Sequence, residues 1–212
     1  MADKIPVKAI YSGSDVTSLG ELASGDTINA SYISNLPGGG TNGWHLLQST
    51  FCNDTTSVDI TGLDNSTYGM FVVVMIGAYT NGNGDYGLRF GDSGGFKTSG
   101  YFYGLLRHTC SHTNVDAQNS TSAGYIKIGR LDSQRRSSAV IFVNCGQYHV
   151  ASPYGRATCG GTYVQDDTTA TTGGSIIGGT NENGLDLDRL SVMTTATNYK
   201  EGRISFYGIA QS

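Results

Sequence analysis

From residue 43 onward, short apolar runs alternate with polar, glycine-rich joints, and the runs recur roughly every 10 to 15 residues, the rhythm of an all-β sandwich. The runs are WHLLQSTF (44–51), SVDITGL (57–63), YGMFVVVMIGAY (68–79), YGLRF (86–90), GYFYGL (100–105) and AGYIKIGRL (123–131). SAVIFVN (138–144), QYHVA (147–151), TYVQ (162–165), LDRLSVM (187–193) and GRISFYGIA (202–210) complete the series. In YIKIG the period is two: Ile126 and Ile128 point to one side, Tyr125 and Lys127 to the other. MFVVVMI is apolar at every position, which predicts a central strand buried on both faces. No window sustains the i, i+3, i+4, i+7 spacing of an amphipathic helix. The pattern therefore predicts an antiparallel β-sandwich, jelly-roll-like, of about ten strands.

Residues 1–40 break this rhythm. They hold one strand-like piece, VKAIY, then small polar residues, and end at Pro37 and three glycines. The segment has too few apolar residues for a core of its own and reads as an extended arm that packs on a partner or a neighbouring subunit. Its apolar anchors would be Ile5, Val7, Ile10, Tyr11 and Leu19. Two parts follow: an attachment arm or linker over 1–40 and a sandwich over 41–212.

Composition narrows the partners. Thirty-one glycines and a charged fraction of only 14% suit short strands with many turns. A net charge of −4 argues against nucleic acid, which needs clustered Lys and Arg; the one basic cluster, RLDSQRRSS (130–138), reads as an interstrand loop. No apolar run approaches the roughly 18 residues of a membrane helix. MADKIPVKAI has no hydrophobic stretch after its lysines, so no secretory signal is expected and the thiols should be reduced. The cysteines, Cys52, Cys110, Cys145 and Cys159, have no CxxC spacing; four allow three pairings. The Asn-x-Ser/Thr triplets at Asn29, Asn53, Asn65 and Asn119 are what such a composition produces by chance.

Candidate chemistry is sparse. GDSGG (91–95) spells the surroundings of a protease serine, but Ser93 would need a histidine to take its proton and a carboxylate to orient that histidine. Only His45, in GWHLLQ, precedes it, so a turn using Gly94 and Gly95 is the favoured reading. RHTCSH puts His108, Cys110 and His112 at alternate positions, all metal-ligating types. On a straight strand, however, the two histidines stand about 13 Å apart, and one metal could not take both without a sharp bend. A trimer could instead bring one histidine per subunit to its axis. NGNGDYGLRFGD resembles a calcium loop at Asn81, Asn83, Asp85 and Asp92, but Tyr86 stands where glycine is required. Asp186 and Asp188 share a strand face in LDLDRL and are close enough for a glycosidase pair, with no cleft marked around them. A half-buried strand, a turn and ordinary alternation are the preferred readings. No catalytic residue, metal or cofactor is expected.

The 13 tyrosines, many beside glycine-rich turns, fit either a recognition surface or the corners of a sandwich.

Short motifs then add a resemblance. The C-terminal EGRISFYGIAQS resembles the closing strand of small virion domains of tailed bacteriophages. GWHLLQST, VDITGL, YGMFVVVMI, LRFGDSGGF, GYFY and DLDRLSVM match the same pattern in order, and GDSGG falls at that family's Ser/Asp-Gly-Gly turn. KIPVKAIYSGSDVTSLGELASGDTI is similar to segments that begin or link tail-fibre modules of marine and cyanobacterial phages. The likeness covers most of the chain, but it lacks the family's collagen-like or coiled-coil stalk. It implies a non-enzymatic virion protein, commonly a homotrimer, of the tail-fibre, head-fibre or capsid-decoration type, on the particle exterior. The arm would bind other virion proteins, and the loops near 91–100, 113–122 and 165–184 would face outward to bind host-surface carbohydrate. Phe96, Tyr101, Tyr103, Asn114 and Tyr163 are the display candidates. Head decoration without receptor binding is the alternative, and a hydrolase the third.

Overall fold

A computed structural model of the chain describes residues 7–12, 15–21, 43–109, 115–131, 135–144, 157–165, 173–181 and 186–210. The chain divides into two units, Met1–Gly40 and Thr41–Ser212.

In the first unit, β1 (Val7–Ser12) holds the expected VKAIY strand. The chain does not stay extended after it. DVTSLGE forms β2 (Asp15–Glu21) and pairs back antiparallel, with Val7 opposite Glu21, Ala9 opposite Leu19, Ile10 opposite Ser18 and Tyr11 opposite Val16. Cross-strand pairing of Val16 and Leu19 with the VKAIY residues gives the hairpin its ladder, which a scan for single apolar runs overlooks. Ile5 lies outside the described residues.

The second unit is an antiparallel sandwich. Its larger sheet joins β3 (Trp44–Phe51), β5 (Tyr68–Thr80), β8 (Tyr101–Thr109), β9 (Val115–Ala123), β11 (Ser137–Asn144), β12 (Ala157–Gln165), β13 (Gly173–Asn181) and β15 (Tyr199–Ala210). They run in the order β3-β15-β5-β11-β12-β13-β8-β9. The smaller sheet holds β4 (Ser57–Thr61), β6 (Gly84–Asp92), β7 (Gly95–Phe96), β10 (Ile126–Leu131) and β14 (Arg189–Thr194), in the order β10-β6-β14-β4 with β7 paired to β6. Among the described residues there is no helix.

The core follows from strict alternation. From the large sheet come Phe71, Val73 and Met75 of β5, Ile141 and Val143 of β11, and Ile204 and Phe206 of β15. From the small sheet come Tyr86, Leu88 and Phe90 of β6, Ile126 and Ile128 of β10, and Leu190 and Val192 of β14. Ile126 and Ile128 share the inner face, as their spacing requires. β5 is central in its sheet, but its second face is only partly covered: Val72 is fully buried, while Ile76 is 58% exposed.

Two stretches expected as loops are strands. β9 occupies most of 113–122, and β13 lies within 165–184. Each is held by its ladder, β13 by both β12 and β8 and β9 by β8, so pairing supplies what their polar and glycine-rich side chains do not. QYHVA lies outside the described residues.

Candidate functional site

GDSGG is the turn of the β6–β7 hairpin. Gly95 has φ +122, a conformation that glycine adopts without a Cβ penalty. The Asp92 carboxylate pairs with Lys97 at 2.5 Å and accepts from the Gly94 N–H at 2.9 Å, and these bonds, Lys97 first, hold its pKa below the ordinary carboxylate range. Lys97 N–H donates to the Phe90 carbonyl at 2.9 Å. Beneath the turn, the buried Tyr101 hydroxyl accepts from Phe90 N–H at 2.8 Å and reaches the carbonyls of Lys97 (3.0 Å) and Phe90 (3.1 Å). Ser93 is exposed at the tip. His45 sits on β3 of the other sheet with its ring 5.8 Å from that of Tyr68. The motif is a pinned hairpin.

Asp85 and Asp188 are committed to ion pairs. Asp85 and Asp92 lie at opposite ends of β6, about 23 Å apart along a straight strand, so they do not converge on one cation. Asp85 pairs with Lys127 at 2.7 Å and accepts from the Tyr125 hydroxyl at 3.1 Å. Asp186 and Asp188 do not share a strand face, because β14 begins only at Arg189. Asp188 is gripped by Arg189, whose Nε–H and Nη2–H donate at 2.6 and 3.2 Å. The same guanidinium stacks 5.9 Å from the Phe96 ring centroid. Of the display candidates, Phe96 is thus half-buried at the hairpin.

Two of the expected display tyrosines face inward. Tyr101 and Tyr163 are buried in the core, and Tyr103 packs against it. Tyr163 donates to the Arg130 carbonyl at 2.5 Å, lies 3.0 Å from the Ser137 hydroxyl, and closes over Gly129, where a Cβ would sit 2.6 Å from its ring. A sequence signal for this existed: Tyr101 and Tyr103 share parity with Leu105, and Tyr163 with Cys159 and Ala157. Asn114 lies outside the described residues.

His108 falls on β8, opposite Gly174 and Val115. Cys110 and His112 lie outside the described residues. Among the described residues no group of three His, Cys, Asp or Glu side chains could hold a metal ion. Cys52 and Cys159 are free, buried thiols, and burial pushes their pKa values up to about 11 and about 12.

The most distinctive surface is one that no motif marks. Among the described residues seven large apolar side chains are exposed: Trp44, Leu46, Phe51, Ile76, Leu106, Phe142 and Val164. All of them lie on strands of the large sheet and occupy its outer face by alternation, with a register shift at Leu47 of β3 bringing Phe51 to the same side as Trp44 and Leu46. The register lines them up. One row runs Leu46–Tyr207–Val72–Phe142 and continues through Gly160, Gly178 and Gly104. Trp44, one row away, reaches across to Tyr207 (5.8 Å) and Phe142 (6.1 Å, edge-on). Val72 sits between those two in the register and is fully buried beneath them although it faces away from the core. A further row places Phe51, Arg203 and Ile76 side by side, the guanidinium lying 4.1 Å over the Phe51 ring, and these residues with Gly202 line a shallow apolar depression.

Compared with models of known protein families, the chain matches none, and no curated protein matches it in sequence.

Proposed function

We propose that the protein is a non-enzymatic structural subunit of a tailed-bacteriophage virion. In this reading residues 1–40 attach it to other virion proteins, and the sandwich of 41–212 forms an appendage on the particle exterior. One observation supports an assembly role above the others: the seven exposed large apolar side chains are gathered on one sheet face. Singly scattered apolar residues are ordinary on a protein surface, but a contiguous apolar face marks a contact site. The pairing of Asp85, Asp92 and Asp188 with cations also leaves these carboxylates satisfied rather than poised for acid–base work.

The test offers the full chain, and a chain with residues 1–40 replaced by an unrelated linker of equal length, to particles lacking the protein and to host cells. Binding to particles that requires the native arm supports the reading. Binding to cells that survives replacement of the arm adds receptor recognition, with host carbohydrate as the ligand class. Binding to neither overturns the virion assignment.

A further inference from the structure

We propose that the outer face of the large sheet is the interface between copies of this chain, with the aromatic ridge of one copy seated in a glycine trough of another. The inference deepens the assembly reading above by naming the partner and the residues. It begins from an asymmetry within one register row. On β3, β15, β5 and β11 the row carries Leu46, Tyr207, Val72 and Phe142, with Trp44 leaning over them. On β12, β13 and β8 it carries Gly160, Gly178 and Gly104. A Cβ added at Gly178 or Gly104 would meet no atom within 4 Å, and one at Gly160 would meet only the Ile177 carbonyl at 3.6 Å. The row is thus a ridge that runs into a bare trough.

Ridge and trough are matched in scale. The ridge crosses three strand spacings, about 14 Å, and the trough two, about 10 Å. Thr158, Thr180 and Phe102 line the row on one side of the trough, and Thr162 and Leu106 line the other. A face carrying both shapes complements a rotated copy of itself, as closed oligomers require. Its extent also fits. Eight strands about 4.8 Å apart and four outward rows about 6.8 Å apart cover about 700 Å², near the roughly 800 Å² per partner of a standard interface. Among the described side chains of these rows the one charge is Arg203, and it is already stacked on Phe51. Interface cores are depleted in charge in the same way.

The trough glycines supply a test that separates association from folding. Neither Gly104 nor Gly178 has a positive φ, and both have open space above them, so valine there suits the strand of an isolated subunit. In an oligomer the same valine fills the space the ridge needs. Full-length wild type, Gly178→Val, Gly104→Val and Trp44→Ser are compared by light scattering over a dilution series, with circular dichroism and thermal melts as the check on folding. The expected result is an oligomeric wild type and variants that keep the strand spectrum but bind about 30-fold or more weakly, the size of a lost hot spot. Trp44→Ser, at a side chain 53% exposed, covers the case in which a valine variant fails to fold. A wild type monomeric at the highest concentration overturns the proposal, and so does a folded Gly178→Val with unchanged mass. A monomer that still binds particles removes this interface and leaves the virion reading standing. An oligomer split by Gly178→Val that binds no particle does the reverse.

Discussion

Replacing Tyr101 by Phe should destabilise the sandwich by about 2 kcal/mol while leaving its packing intact. The magnitude comes from the hydroxyl's partners. The ring is fully buried, 6.0 Å from that of Phe90, and Phe keeps that contact. What is lost is the acceptor of the Phe90 N–H at 2.8 Å, in a residue that is itself fully buried. The Phe90 carbonyl still receives the Lys97 N–H, so it is not orphaned. One buried donor left unpaired costs about 1–3 kcal/mol. For a unit of this size, that corresponds to a melting point lowered by roughly 4–8 °C. Urea unfolding followed by circular dichroism is the assay, and the m-value should not change, since the surface exposed on unfolding is the same. Ser93→Ala, at the exposed tip of the same hairpin, is the control and should stay within about 0.5 kcal/mol of wild type. A Tyr101→Phe protein as stable as that control would refute the view that the tyrosine pins GDSGG.

Three other outcomes follow from the core. Gly129→Ala should cost about 1–3 kcal/mol in the same urea assay, because its Cβ would meet a Tyr163 ring fixed by Ser137 and Arg130 and unable to retreat. Alkaline unfolding should be cooperative: burial raises Tyr101 to about 12, and burial with the Asp85 charge raises Tyr125 to about 12, against about 10 in the unfolded chain. The folded state therefore binds more protons, its stability is complete below about pH 10, and it is lost as pH rises toward 12; tyrosinate absorbance and near-ultraviolet dichroism should change together. Cys52 and Cys159 should resist alkylation in the native protein near neutral pH and react on denaturation, as peptide mapping would show, because burial both shields them and disfavours their thiolates.

Much of the sandwich was legible because burial in a sheet imposes a period of two. WHLLQSTF is β3 to the residue, and the shared side that parity gives Ile126 and Ile128 is the core side. The misses have a common cause. VDAQNSTSA in β9 has no apolar alternation because it is an edge strand, and GGSIIGGTN in β13 reads as a loop by composition. Both are specified by neighbours distant in sequence. Tyr101 and Tyr163 were misplaced for a related reason: tyrosine beside glycine and serine serves a core corner as well as a paratope, and only strand parity separates them. The outer face was half visible. Val72, Val74 and Ile76 made β5 apolar on its second side, but the row that joins Val72 to Leu46, Tyr207 and Phe142 exists only once the register is known.

Trp44 is the chain's single tryptophan, and it stands at the centre of the claim that this face is a contact surface. Acrylamide quenching of its fluorescence in the full-length protein, at concentrations where the protein is assembled, measures that directly. The account predicts a shielded indole that becomes accessible on dilution and in Gly178→Val. An indole quenched equally well at every concentration and in both proteins would contradict it.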